Sequence, residues 1–316
     1  MYDLNVCSHN REAYGRALVE LGSTNPDVVV LDADLSTSTK TSIFAERFPE
    51  RFIDVGIAEQ NLLDIAAGLA LSGKIPFVST FSIFGCGRGW EQIRNTIAMD
   101  SINVNIVCTH AGLSLGGDGA THQALEDIAI MRAIPNMQVI VPADPVETRA
   151  VVQYAAAYQG PVYIRLSRRR SPHLFDAAGY RFDPKSYPVL REGDDVTILS
   201  TGNMIRKALK AAECLAEDGI SAGVVNVHTI KPLARDAICS IAKKTPAIVT
   251  LEEHNVIGGL GSAVAECLVQ DCPVPMRIIG VEDRFGCSGR VDELFEKFNL
   301  TPAHVAGVVK NLVRER

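Results

Sequence analysis

The sequence predicts an α/β protein made of two parallel- or mixed-sheet domains. Short β-branched runs alternate with stretches of helical pattern, as they do in α/β units wound around a parallel sheet. The runs are nearly continuous in apolar residues, as strands buried on both faces are. Between Leu174 and Gly193 the alternation lapses into Phe182-Asp183-Pro184-Lys185-Ser186-Tyr187-Pro188, a proline-bearing connector, and then resumes. With 316 residues, 47% of them hydrophobic, the chain can fill two domains. The parse is a first domain over residues 1–175, a linker over 176–192 and a second domain over 193–316.

The predicted strands follow in order, and what comes after each matters, because ligands of open α/β sheets gather at the carboxyl ends of the strands. Asp27–Leu31 runs into Asp32-Ala33-Asp34-Leu35-Ser36-Thr37-Ser38. Ile75–Ser79 runs into Thr80-Phe81-Ser82-Ile83-Phe84. Val104–Thr109 leads to His110, Ala111 and Gly112, then to Gly117-Asp118-Gly119-Ala120-Thr121-His122-Gln123. Met137–Val141 follows, and Val162–Ser167 leads to Arg168-Arg169-Arg170. The second domain resumes with Val196–Ser200, Ala222–Val227, Ile248–Leu251 and Met276–Gly280. Histidines, carboxylates, hydroxyls, aromatics and arginines therefore converge on one edge of the first domain, a polar, anion-tolerant pocket with an aromatic wall.

One residue breaks its local pattern. In Asp54-Val55-Gly56-Ile57-Ala58-Glu59-Gln60-Asn61, a helix starting after Gly56 places Glu59 on one face with Leu62, Leu63, Ala66 and Ala70. A lone carboxylate on such a stripe must find a partner or keep its proton. The competing reading is a helix that begins with a polar turn, Glu59 near its positive end.

Composition excludes several classes. A net charge of −6 argues against a nucleic-acid or anionic-membrane surface as the main partner. The eight cysteines form no Cys-x-x-Cys pair, and neither a disulfide framework nor a zinc site is suggested. The start, Met1-Tyr2-Asp3-Leu4-Asn5, has no basic or apolar region, and no later stretch is apolar enough for a membrane span. The expectation is a soluble, cytoplasmic protein.

These motifs, in this order and spacing, resemble the transketolase family. The carriers are Asp54-Val55-Gly56-Ile57-Ala58-Glu59-Gln60-Asn61, the Ser-Thr-Phe-x-x-Phe segment ending at Phe84, the segment from Thr109-His110 to Gln123, and Leu166-Ser167-Arg168. The first domain is similar to the pyrimidine-binding domain of thiamine-diphosphate enzymes, the second to the carboxyl-terminal domain that follows it in transketolases. The amino-terminal half of an ordinary transketolase has no counterpart here, so the resemblance implies the carboxyl-terminal subunit of a split transketolase. An amino-terminal partner would then share the thiamine diphosphate, bind its Mg²⁺ or Ca²⁺, and complete an α₂β₂ assembly that also self-associates through the first domain.

The resemblance also implies roles. Glu59 would activate the cofactor's aminopyrimidine, Phe84 and Phe81 would face that ring, and Leu35 would wedge against the cofactor. His110 and His122 would act on the sugar donor's carbonyl and hydroxyls, Asp118 would read its hydroxyl stereochemistry, Arg168 would bind sugar phosphate, and Ser38 would add a hydroxyl contact. Arg169 and Arg170 read as a solvated charge run. Gly117-Asp118-Gly119 imitates a metal motif, but Ala143–Arg149 lacks the asparagine that should follow, so no metal ligand is expected. Gly87 stands where full-length transketolases have a Tyr, and Gly117 replaces an acidic residue, which leaves acceptor choice open. Glu252-Glu253-His254-Asn255 precedes Gly258-Gly259-Leu260-Gly261, either an anion-binding helix start or a tight packing turn. Two other enzymes compete, a deoxyxylulose-phosphate synthase and a 2-oxo-acid dehydrogenase β-subunit. The first typically has Asp-Arg in place of Thr109-His110, and the second lacks the two-histidine loop. A regulatory or scaffold subunit is the non-enzyme alternative.

Overall fold

The computed structural model describes Leu4 and residues 6–315. The first sheet has seven strands in the spatial order Thr229–Lys231, Gln138–Ile140, Val162–Arg165, Asn105–Thr109, Ile75–Phe81, Val28–Asp32, Phe52–Asp54. All its pairings are parallel except that of Thr229–Lys231 with Gln138–Ile140. The second sheet runs Met276–Val281, Ile248–Asn255, Val196–Ser200, Ala222–Asn226, Val189–Arg191, the last strand antiparallel. A two-stranded ribbon pairs Cys7–His9 with Arg170–Pro172. The chain is thus α/β with two parallel or mixed sheets, as the alternation predicts.

The period of two explains why the central strands read as unbroken apolar runs. Val28 and Val30 enter a core with Phe77, Val107, Ile140 and Ile164, under the helices Asn10–Thr24 and Pro145–Ala157. Val29 and Leu31 face the other way, into a core with Val78, Ile106, Cys108 and Val139, under the helix Glu59–Leu71. Each strand residue therefore meets apolar side chains whichever way it points.

The connector separates the domains in sequence but not in packing. Thr229–Lys231, far into the second half, completes the edge of the first sheet. Tyr187, within the connector, fixes that strand by donating its hydroxyl to Thr229 O at 2.8 Å and accepting from Ala234 N at 2.9 Å. The buried Glu147 carboxylate accepts from Asn226 Nδ2 at 2.9 and 3.0 Å, tying a first-domain helix to the second sheet. Val189–Arg191 is a strand although it lies inside the predicted connector. At three residues it is too short to leave an apolar run, as is Phe52–Asp54.

Two expectations need correction. Cys239 and Cys272 form a disulfide, with the thiol of Cys267 close by. They are separated by 33 residues and meet because the helices Arg235–Ala242 and Leu260–Asp271 pack together, which spacing alone does not reveal. On the helix Glu59–Leu71 the deeply buried alanines are Ala66 and Ala67, whereas Ala70 is only half-buried. Among the described residues no helix is long and apolar enough to cross a membrane.

Candidate active site

Val28–Asp32 pairs with both Phe52–Asp54 and Ile75–Phe81, so the chain reverses its direction of travel across the sheet at this strand. Such a reversal leaves a crevice beyond the carboxyl ends of the strands, where α/β sheets place their ligands. Leu35 and Ser38 follow one of the flanking strands, Phe81 ends the other with Phe84 just beyond it, and His110 follows the next.

Glu59 opens its helix 3% exposed. Its partner is Arg88, whose Nη1 lies 3.5 Å from Glu59 Oε2. Arg88 comes from the helix Ser82–Arg88 and lays its guanidinium over the Phe84 ring, 5.3 Å from the centroid. Phe84 in turn lies nearly parallel to Phe81, with centroids 5.9 Å apart and planes 12° apart. His122 meets Phe84 edge-on at 5.4 Å, and His110 covers Phe81 at 4.0 Å. Glu59 thus reaches two parallel aromatic rings through Arg88, and an imidazole packs against each ring.

The polar side is organised by Arg11. Its guanidinium donates to the carbonyls of Ser38 and Arg168 and lies 3.4 Å from His110 Nε2. Because guanidinium only donates, Nε2 is the acceptor and Nδ1 carries the proton, in a 2.7 Å bond to the Thr109 hydroxyl. Burial, then the positive charges of Arg11 and Arg168, lower the His110 pKa to about 3. The imidazole is therefore neutral at physiological pH. It is held at φ 62°, a left-handed backbone conformation that costs energy outside glycine and is found at functional sites. Gly112, two residues on, has φ 80°, and a side chain there would collide with Glu253. Arg168 sits on the rim, donating to Leu115 O at 2.9 Å and lying 3.8 Å from Asp118.

The Ser38 carbonyl accepts from Arg11 beside His110. Leu35 lies on the neighbouring loop, half-buried, its N–H donating to Asp32 at 2.6 Å. Asp32 also accepts from Thr39 and Thr41 at 2.7 and 2.8 Å, and burial raises its pKa to about 6.

Residues 8–172 match the transketolase pyrimidine-binding domain, and residues 186–305 match the transketolase C-terminal domain. The chain belongs to the transketolase family. A putative transketolase C-terminal section from Methanocaldococcus jannaschii is 48% identical, the match covering 94% of this chain and 93% of that one. A 6-deoxy-6-sulfo-D-fructose transketolase subunit from Clostridium sp. is 45% identical over 93% of this chain and 91% of its own. A solved structure described as a split gene transketolase, inactive beta4 tetramer, superposes with a TM-score of 0.91. It is 53% identical and aligns over 97% of this chain and 98% of its own. Two 1-deoxy-D-xylulose-5-phosphate synthases match as well, at 36% and 35% identity, and the chain spans just under half of each. Transketolase-family membership brings with it dependence on thiamine diphosphate.

Sequence reasoning missed the organising cation of this transketolase-family site. Arg11 lies on one buried face with Tyr14 and Leu18, the same signal of a charge on an apolar stripe that singled out Glu59. Arg88, the partner of Glu59, carried no such signal, because its side chain is 60% exposed. The glycine-rich helix start is a packing turn. The backbone N–H groups of Leu260 and Gly261 donate to the Glu252 carboxylate at 2.7 and 2.8 Å, so the chain's own anion occupies the helix end.

Proposed function

We propose that this chain is the carboxyl-terminal subunit of a two-component transketolase, moving a two-carbon ketol unit from a ketose phosphate donor to an aldose phosphate acceptor. The observation that carries the reading is the surface from buried Glu59 through Phe84 and Phe81 to His110. Parallel aromatic rings beside a carboxylate in dry surroundings suit an aminopyrimidine, which offers an apolar face and a ring nitrogen that can share a proton.

Thiamine diphosphate, when bound, supplies the carbon nucleophile and carries the two-carbon unit between sugars. Glu59 would share a proton with the pyrimidine nitrogen, and Phe81 and Phe84 would exclude water from the ring face. Leu35 borders the cofactor. His110, neutral by burial, acts as a hydrogen-bonding partner to the sugar rather than as a cation, and His122 contributes the second imidazole. Asp118 reads a donor hydroxyl, and Ser38 adds a hydroxyl contact. Arg168, on the rim with a planar donor fork, takes the phosphate.

The metal and diphosphate fall to an amino-terminal subunit. Asp118, the acid of the metal-like triplet, faces Arg168 at 3.8 Å, a partner that competes with a cation for its charge. The assembly is α₂β₂, two-fold symmetric, with the first domain also contributing self-association. This accords with a cytoplasmic enzyme of sugar phosphate metabolism such as the pentose phosphate pathway.

Calorimetry with thiamine diphosphate and Mg²⁺ tests the division of labour. Binding and two-carbon transfer are expected only after an amino-terminal subunit is added. Micromolar binding and transfer by this chain alone would overturn the reading.

A further inference from the structure

A cavity of about 320 Å³ lies where the segment after Arg168 meets the second domain. Five cations line it, Arg169, Arg170, Arg206, Lys207 and Lys210. Asp292 is the one lining carboxylate among the described residues, and it is already paired with Arg169 at 2.7 Å. In a chain with 31 basic and 37 acidic residues, this local excess of positive charge repels itself and costs stability unless something offsets it.

The placement of the cations deepens the imbalance. Arg206 and Lys207 occupy the first turn of the helix Ile205–Glu217; that turn holds no acidic residue, and the positive end of a helix disfavours cations. Nε of Arg206 is buried without a hydrogen-bond partner among the described residues. Lys207 lies over the Phe295 ring at 4.3 Å, with Arg169 over the same ring at 5.8 Å. Burial lowers the Lys207 pKa; Asp292 and Glu253 oppose the shift, and the Arg169 and Arg206 charges add to it.

We infer that this cavity is an anion site, separate from the sugar site, that takes a compact small molecule bearing two phosphate groups. Two phosphates supply enough negative charge to match several cations at once, and guanidinium and ammonium donors suit phosphate oxygens. Phe295 is 2% exposed and already covered by cations, so it leaves no free face for a nucleobase to stack on. This favours a pyrophosphate or sugar bisphosphate over a nucleotide.

The cavity also touches the machinery of the rim. Asn203, in its wall, donates to Glu253 at 2.6 Å and to the Ser167 hydroxyl at 3.3 Å, and Ser167 immediately precedes Arg168. An anion drawing on Arg169 therefore pulls on the backbone that positions Arg168.

Titration of the full chain with inorganic pyrophosphate tests the site without cofactor or partner subunit, so the result is independent of the proposed activity. Saturable one-site binding is expected. Arg206→Gln and Lys207→Gln should each weaken it about tenfold or more, the loss of one charge-assisted hydrogen bond. Asp292→Asn, which removes the competing carboxylate, should tighten it, and Arg168→Ala should weaken it less than Lys207→Gln does, because the Arg168 side chain does not line the cavity. Circular dichroism on each variant separates lost binding from lost folding. Absence of saturable binding, or loss of binding in Arg168→Ala with Lys207→Gln unaffected, would overturn the proposal, the second outcome placing the anion at the sugar site.

Discussion

The guanidinium of Arg11 lies 3.4 Å from Nε2 of His110, a permanent cation set against an imidazole that is 4% exposed. Burial, reinforced by this pairing, keeps the histidine uncharged, and a measurable titration follows.

His110 should remain neutral well below the ordinary histidine range, its folded pKa being about 3 against 6.5 unperturbed. Below pH 6.5 the unfolded imidazole takes a proton that the folded one refuses until about pH 3, so His110 contributes stability fully above 6.5 and loses it as pH falls through that window. Imidazole carbon resonances followed by NMR provide the check. Arg11→Met should raise the His110 pKa, since it removes one of the two charges that lower it. A wild-type midpoint near 6.5 would contradict the burial and charge argument.

Glu59→Gln keeps the side chain's shape and removes its ability to exchange a proton. In the complex with the amino-terminal subunit, two-carbon transfer should fall by about 10²–10⁴-fold, the usual contribution of a positioned acid or base. The far-ultraviolet circular dichroism should not change. Undiminished exchange of the cofactor's C2 proton would remove Glu59 from its proposed role.

Arg168→Ala should raise KM for phosphorylated sugars and barely alter it for hydroxypyruvate. The penalty should be about 2–3 kcal/mol in kcat/KM, the size of a lost hydrogen bond to a charged group. Equal losses on both substrate types would make Arg168 a structural residue, anchored to Leu115 and nothing more.

Glu252 closes the amino end of the helix Leu260–Asp271 from within the core. Glu252→Ala should cost about 1–3 kcal/mol in urea unfolding, because two buried N–H groups lose their acceptor. Burial raises the Glu252 pKa to about 7 from 4.5, so between those values the folded state binds more protons and this residue's contribution to stability declines as pH rises. Glu252→Gln should flatten that slope. An unchanged slope would mean that other groups set it.

Much of the architecture was legible in the sequence because burial on both faces imposes a pattern within a single strand. Val28–Asp32 and Ile75–Phe81 announce themselves as apolar runs, since every residue must be apolar when cores lie above and below. Glu59 was legible for the converse reason, a charge standing where local pattern demands an apolar residue, and the histidine loop because it follows the carboxyl end of a predicted strand. Short edge strands escaped notice. Thr229–Lys231 has three residues and takes its place from a partner roughly ninety positions away, so no local period encodes it.

The sequence by itself determined the α/β class, the order of the main strands and the residues at their carboxyl ends, because each depends on neighbours within a few positions. Only the tertiary structure decided that Arg88 partners Glu59, that Arg11 joins Ser38, His110 and Arg168, and that Cys239 meets Cys272. It also turned Arg169 from an apparent solvated charge into the wall of a basic cavity opposite Lys207. Pairings of this kind depend on which elements pack side by side, and electrostatic and hydrogen-bond energies are set by distances of a few ångströms that separation along the chain does not record.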